Sequence, residues 1–231
     1  MDIDFLLRDT PNSQENIMTM IGDISDTVTE NDIVRFEIKG LVPIAEEREY
    51  NGIRVKMIAY IKQTRTPFEL DTGVGDVVIP KAEPRKLLTQ LDGFSEPEVL
   101  TYSLESTIAE KFDAIIARME LSSRMKDYYD IYFLATTFHF EARKLQVAIL
   151  ATLQKRKTIY GEDAVERVHA FEQSDDMRQK WKRFTTATIK IPLEFGDVVE
   201  IIDKFIGPVF RGIVSGQEVS GVWNPATVRY E

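Results

Sequence analysis

The stretch DIDFLL, residues 2–7, decides the fold that we predict for the first part of the chain. Alternate residues of a strand face the same side of a sheet. We therefore predict a strand in which Asp2 and Asp4 project together, while Phe5 and Leu7 face the core. An ionised carboxylate without a partner is costly to bury. This strand end is therefore either solvated or close to a positive charge.

A second acidic strand follows at PFELDTG, residues 67–73, where Glu69 and Asp71 share one side. If the two strands are neighbours, Asp2, Asp4 and Asp71 converge. Three carboxylates at close range repel each other, and a divalent cation removes that conflict. The pattern thus predicts a site for Mg²⁺ or Mn²⁺ that can orient a triphosphate. The alternative is a solvated strand end, because D-x-D is a common tripeptide.

Composition narrows the class of protein and the kind of metal ligand. The 231 residues are 43% hydrophobic and 29% charged, which is ordinary for a globular protein. The absence of cysteine excludes disulfides, thiolate zinc sites and thiol catalysis. With only two histidines, any metal is expected on oxygen ligands. We find no run of membrane-spanning length and no signal peptide, and we expect a cytoplasmic protein that does not interact with a membrane.

Hydrophobic periodicity predicts an α+β protein in which a small mixed sheet with helices, residues 1–100, precedes a helical domain, residues 101–231. Strands are predicted at DIDFLL, IVRFEIKGL, RVKMIAYIK and PFELDTG, and the second and third of these form a hairpin. We also predict a short helix at RKLLTQL, a last helix that stops near Gly207-Pro208, and a loosely structured tail over residues 212–231.

The helix predicted at SLESTIAEKFDAIIARM, residues 103–119, places Lys111 at the edge of its apolar stripe. Glu110 and Asp113 are expected to point away from that stripe. A lysine against a packed face can direct its ammonium group to a phosphate. The alternative is a lysine whose stem covers the core while its charge stays in water.

The next helix, SRMKDYYDIYFLATTF, residues 123–138, has Asp127 inside its apolar stripe. Arg124 lies one turn earlier on the same side, and Asp130 lies on the flank. An aspartate and an arginine at this spacing form either a structural ion pair or a carboxylate that orients a basic group or a substrate hydroxyl.

Two basic stretches are candidates for contact with an RNA backbone. One is Lys155-Arg156-Lys157, and the other surrounds Trp181. Basic side chains neutralise phosphates and an aromatic ring can stack on a base. A solvated helix face and a core tryptophan explain the same stretches.

The segments DIDF, ELDTGVGD, AEKF and RMKDYYDIYFL, in this order, resemble the AbiEii/AbiGii toxin family. The resemblance implies the DNA polymerase beta-type nucleotidyltransferase fold. It further implies a bacterial or archaeal enzyme that transfers a nucleotide from a nucleoside triphosphate to an acceptor with magnesium. Characterised relatives act on tRNA acceptor ends, and a partner antitoxin usually neutralises such toxins.

Carried over residue by residue, the resemblance makes Asp2 and Asp4 the metal-binding D-x-D and places Asp71 at the position of the third carboxylate. Lys111 matches the lysine of A-E-K, which implies a phosphate contact, and Asp127 matches the first aspartate of K-D-x-x-D. We add Arg124, beside Asp127, to Lys111 as a predicted nucleotide-binding cation.

The family pattern also has a helix and a glycine turn before the D-x-D, and backbone N–H groups of such a turn cradle phosphates. This sequence begins at the D-x-D, so we expect either a segment upstream of it or a member that has lost the turn. The missing turn supports a second hypothesis, a non-catalytic relative that binds a nucleotide or a protein partner. A third possibility is another phosphoryl transfer, such as that of a kinase, on the same scaffold.

Overall fold

The computed structural model describes residues 2–8, 10–28, 33–44, 52–74, 78–89, 92–121, 124–190 and 192–231. The chain divides into two compact units, Met1–Asp76 with Thr89–Ser95 and Val77–Leu88 with Glu96–Glu231. Helices and a small mixed sheet confirm the predicted α+β class. The predicted domains, 1–100 and 101–231, divide the chain differently and stay a prediction.

The first unit is a four-stranded sheet with the strand order β1-β4-β3-β2. Strand β1 runs parallel to β4, whereas β4, β3 and β2 are antiparallel neighbours, so the sheet is mixed. One helix, α1, accompanies it and begins after Ser13, whose side chain accepts a hydrogen bond from the backbone N–H of Asn16. The elements are β1 Asp2–Leu7, α1 Gln14–Ser25, β2 Val34–Ile44, β3 Gly52–Ile61 and β4 Thr64–Val74.

The core of the first unit lies on one face of this sheet. Ile17 and Ile21 of α1 pack with Val55 of β3 and Leu70 of β4. Alternation along each strand places Arg54, Glu69 and Asp71 on the opposite face, which we call the polar face although the buried Ile58 also belongs to it. Phe5 lies beside Thr72 on the core face of the sheet, as predicted, but it is 48% exposed and is not part of the buried core. Strand β1 is an edge strand, so its side chains are covered less than those of β3 and β4.

The second unit is built from six α-helices and five short strands among its described residues. The helices are α2 Leu104–Arg118, α3 Met125–Thr137, α4 Ala142–Lys155, α5 Ala164–Ala170, α6 Asp175–Phe184 and α7 Phe195–Ser215. The strands are β5 Glu83–Lys86, β6 Glu98–Thr101, β7 Phe140–Glu141, β8 Val222–Asn224 and β9 Arg229–Tyr230. No described helix is long and apolar enough to cross a membrane.

Helix α7 contradicts the predicted stop at Gly207-Pro208, because it continues to Ser215 and ends at the left-handed Gly216. Proline inside a helix removes one backbone hydrogen bond. Val209 and Phe210 beyond it are fully buried in the core, and this packing outweighs the lost bond.

Two further predictions are wrong because contacts with distant residues decide the structure of these segments. The segment predicted as a helix, residues 85–91, begins inside β5, which pairs with β6, and residues 87–89 have no regular structure. The predicted loose tail contains β8 and β9, and Trp223 there is fully buried. Its indole N–H donates to the carbonyl of Ala135 at 2.6 Å. These contacts join distant parts of the chain, which local patterns do not reveal.

Candidate active site

The predicted acidic strands are neighbours. In the parallel pair β1–β4, Asp4 lies beside Asp71 and Asp2 lies beside Glu69 in backbone register. Because Leu70 packs into the core, Asp71 projects from the opposite, polar face, and Asp4 lies next to it. Adjacent strands are about 4.8 Å apart. The side chain of Asp2 lies outside the described residues.

Arg54 of β3 also belongs to this face and holds both acidic residues of β4. Its Nε donates to Oδ1 of Asp71 at 2.7 Å, and its Nη2 donates to Oδ2 at 2.7 Å. Its Nη1 lies 3.1 Å from Oε2 of Glu69. Two parallel N–H···O bonds of this kind are the strongest pairing that a carboxylate and a guanidinium make.

Sequence reasoning missed Arg54, although the sequence contained a signal. Only Lys62 and Gln63 separate β3 from β4, and so short a turn fixes the register of a hairpin. That register places Arg54 opposite Asp71. Once this turn is known, counting back from it finds the pair, but the predicted strands ended at residue 62 and resumed at residue 67 and so did not define the turn.

The donor chemistry of this face suits the predicted metal only in part. Carboxylate oxygens are the ligands that Mg²⁺ and Mn²⁺ prefer, and Asp4 offers an exposed carboxylate in register with Asp71. Arg54 uses one lone pair on each oxygen of Asp71, and a carboxylate has about four. Within the part of the chain that the structure describes, no group of three or more acidic or histidine side chains could hold a metal ion.

The rest of the polar face carries further charges. Lys39 donates to Glu37 at 2.5 Å, and the Tyr60 hydroxyl donates to the same carboxylate at 2.7 Å. These bonds, the one from Lys39 first, lower the pKa of Glu37. An open pocket of about 430 Å³ lies over this region, and Lys39, Lys56 and Glu69 are among the residues that line it.

The second unit holds a separate group of charges between α2 and α3. Lys111 Nζ lies 2.5 Å from Oδ2 of Asp130 and 3.4 Å from Oδ1 of Asp127. Arg124 Nε lies 2.6 Å from Oδ2 of Asp127 as an ion pair, and Arg124 Nη2 donates a hydrogen bond to Oδ1 at 3.5 Å. The side chain of Asp127 is 3% exposed and that of Lys111 is 20% exposed.

The predicted inward placement of Asp127 is therefore confirmed, and Lys111 and Arg124 meet there. Asp130 was placed on the flank and was not chosen as a site residue, yet it is the nearer partner of Lys111. The i, i+3 spacing of the two aspartates in K-D-x-x-D was the available signal. Asp4 and Asp71 lie together within the first unit, and the three helical residues lie together within the second.

Asp113 corrects the prediction for α2. It was expected to point away from the apolar stripe, but it is 1% exposed. Its Oδ2 accepts a hydrogen bond from Arg156 Nη1 at 3.1 Å, and the Thr158 hydroxyl donates to its Oδ1. Arg156 also pairs with Glu110 at 3.4 Å. Arg156 therefore has a structural role, which argues against an RNA contact by this side chain.

Trp181 corrects the second RNA prediction. It is 3% exposed, and its indole N–H donates to the carbonyl of Leu193 at 2.6 Å. Its ring packs against Phe184 and Phe195. A ring held in the core in this way is not available to stack on a base.

Comparison with known proteins places the chain in a family. Two solved structures from Helicobacter pylori resemble it: JHP933, at 12% identity and a TM-score of 0.43, and a candidate nucleotidyltransferase, at 11% and 0.44. Each similarity covers 94% of this chain and 81% of the other. No curated protein matches. The family model described as nucleotidyl transferase AbiEii toxin, type IV toxin–antitoxin system, matches residues 1–200 of 231, and the chain therefore belongs to the AbiEii nucleotidyl transferase toxin family.

Proposed function

We propose that this chain is a metal-dependent nucleotidyltransferase that transfers a nucleotide from a nucleoside triphosphate to an acceptor hydroxyl, and that the acceptor is tRNA. One observation carries the proposal: Asp4 and Asp71 lie in register on the polar face of the sheet. Membership of the AbiEii family supports the reaction class. Two carboxylates on adjacent strands suit a divalent cation and a triphosphate.

The proposed reaction is an in-line displacement at the α-phosphorus of the triphosphate. A bond forms from the acceptor oxygen to phosphorus, the bond to the β-phosphate oxygen breaks, and pyrophosphate leaves while the acceptor hydroxyl loses its proton. Asp2, Asp4 and Asp71 would hold Mg²⁺ or Mn²⁺, which would neutralise phosphate charge when bound. Asp4 is exposed, so its carboxylate reaches such a ligand without any change in the core.

We assign Lys111 and Arg124 to the phosphates of the nucleotide. An ammonium group has three N–H donors, and the two contacts of Lys111 with Asp127 and Asp130 leave one donor for a phosphate. Arg124 is half-exposed while it pairs with the buried Asp127. Asp127 would thus orient the two cations rather than touch the nucleotide.

Membership of a type IV toxin–antitoxin family implies an antitoxin partner. We propose that this partner counteracts transfer of the nucleotide and that both proteins act in the cytoplasm, where nucleoside triphosphates and tRNA occur. Coexpression with a candidate antitoxin tests the first part, because it should restore growth that expression of this chain alone arrests.

A second candidate function is a non-catalytic relative that binds a nucleotide or a protein partner. The observation that favours it is the capture of both Asp71 oxygens by Arg54. Such a protein would bind nucleotide without turnover, so the transfer assay separates it from the enzyme.

The test is transfer of label from each α-labelled nucleoside triphosphate to total tRNA in the presence of Mg²⁺. We expect Asp4→Asn to reduce the rate at least about 100-fold, because it removes charge at the proposed metal site. The matched control is Asp23→Asn, another exposed aspartate of the first unit, which should retain the rate. Equal rates in Asp4→Asn and the unsubstituted chain would contradict the proposal. Nucleotide binding without transfer would support the non-catalytic candidate.

A further inference from the structure

Two positive groups can bind the Asp71 carboxylate: the Arg54 guanidinium and the proposed divalent cation. We propose that Arg54 competes with the cation for Asp71 and so sets how tightly the sheet face binds metal. This inference rests on the proposed metal-dependent function and adds a residue that regulates the occupancy of its site.

The geometry gives Arg54 a strong hold on Asp71. Both Asp71 oxygens accept hydrogen bonds at 2.7 Å from a single planar guanidinium. A cation that chelates Asp71 needs oxygens that this pairing occupies. A cation bound to one remaining lone pair would lie beside a fixed positive charge, and the repulsion between them weakens binding.

Glu69 makes an exchange possible without a large movement. Its Oε2 already lies 3.1 Å from Nη1 of Arg54, and both side chains are 37% exposed. When a cation takes Asp71, Arg54 therefore keeps one carboxylate partner and its contact with solvent. The guanidinium is not expelled into an apolar region, so exchange needs no change in the core.

The experiment measures Mn²⁺ binding to the full chain without nucleotide, by the loss of the electron paramagnetic resonance signal of free Mn²⁺. Arg54→Gln removes both the charge and the paired donors, and we expect it to lower the Kd for Mn²⁺ at least fivefold. Arg54→Lys keeps the charge but cannot form the paired bonds, and we expect an intermediate Kd. A melting curve in EDTA checks that each variant is folded.

Lys56→Gln is the matched control, because it removes the same charge two residues along the same face of β3. Lys56 has no hydrogen-bond or ion-pair partner among the residues that the structure describes. This variant measures the effect of net charge alone, which salt screens over about 10 Å at 0.1 M. We expect it to change the Kd less than twofold.

Each outcome decides one question. An Arg54→Gln Kd equal to that of Lys56→Gln overturns the proposed competition, and a weaker Kd also overturns it because Arg54 would then organise the site. If Arg54→Gln does not fold, an unchanged Kd in Arg54→Lys overturns it. Binding that survives Asp4→Asn in every background instead removes the metal site from this face, which is a failure of the proposed function.

Discussion

The paired carboxylates of the sheet face are more exposed than Asp113 and Asp127, the two buried aspartates of the helical unit. On the sheet, the side chain of Asp71 is 20% exposed, and Glu69 and its partner Arg54 are each 37% exposed. In the helical unit, the side chains of Asp113 and Asp127 are 1% and 3% exposed. The sheet charges can exchange a protein partner for a ligand, whereas burial fixes the helical charges in their pairs.

The physical basis of this difference is desolvation. A buried carboxylate that loses its cation has no water to replace it, and the loss costs several kcal/mol. An exposed carboxylate regains water when its partner leaves, and an exposed pair contributes about 0–1 kcal/mol. A carboxylate that exchanges its partner for a ligand therefore suits the open sheet face, whereas the buried Asp127 keeps Lys111 and Arg124 in place.

Substitution of Asp113 should cause the largest loss in the free energy of unfolding. Asp113→Ala leaves a cavity in the core and the Thr158 hydroxyl without its acceptor, and Arg156 keeps only the longer contact with Glu110, at 3.4 Å, of its two acidic partners named above. We expect the free energy of unfolding to fall by about 3–5 kcal/mol, measured by urea denaturation. The matched control is Glu200→Ala, which breaks the exposed pair of Glu200 and Lys204 at 2.7 Å and should cost less than about 0.5 kcal/mol. Equal costs for the two variants would remove the distinction between buried and exposed pairs.

A smaller effect is expected from Tyr230 in the C-terminal strand β9. Burial raises the pKa of its hydroxyl well above the ordinary value of 10, and the hydroxyl donates to the carbonyl of Phe205 at 2.8 Å. The folded state therefore holds this proton at pH values where the unfolded state has lost it. Stability should fall above pH 10, by at most about 1.4 kcal/mol per pH unit.

Tyr230→Phe separates this titration from the other alkaline transitions of the chain. The variant should lose the hydrogen bond at neutral pH but show a flatter decline of unfolding free energy above pH 10. Urea denaturation at pH 8, 10 and 11 provides the comparison. Parallel curves for the two proteins would assign the alkaline loss to other groups.

The sequence was sufficient for features that depend on local periodicity. Alternation predicted the four strands of the first sheet, and the helical stripe predicted a buried Asp127. The adjacency of β1 and β4 was only a condition in that prediction, because a parallel pair joins segments that are distant along the chain. The roles assigned to Asp2, Asp4, Asp71, Lys111 and Asp127 stay predictions that the proposed assays test.

The sequence was insufficient where a partner from elsewhere in the chain decides the outcome. The pattern of α2 predicts an outward Asp113 because that helix itself offers no partner for a buried carboxylate. The partner is Arg156, which directly follows the last residue of α4. Trp223 lies in the segment predicted as a loose tail, but its indole N–H donates to the carbonyl of Ala135, which is distant in sequence. Periodicity describes one element at a time, so contacts of this kind lie beyond it.

The exposed sheet pair of Asp71 and Arg54 should contribute little to the free energy of unfolding. Asp71→Asn removes the charge that Arg54 binds, but Arg54 keeps Glu69 as a partner. We therefore expect a loss of about 1 kcal/mol in the free energy of unfolding, much less than for Asp113→Ala. Urea denaturation of both variants in the same buffer tests the order. If Asp71→Asn costs as much as Asp113→Ala, the sheet pair is structural and its exchange for a ligand becomes untenable.

The smallest effect that we predict is a change in the pKa of Glu37 on the same sheet face. Its hydrogen bonds with Lys39 and Tyr60, the former first, lower its pKa from the ordinary value of 4.5. Lys39→Gln should raise this pKa toward 4.5, and Tyr60→Phe should raise it less; carboxyl NMR titration measures both. Because the folded pKa is the lower one, the stabilising effect exists above the ordinary pKa and is lost as the pH falls through the folded value. An unchanged pKa in Lys39→Gln would mean that the pair does not persist in solution, which would make Lys39 available to a phosphate in the open pocket.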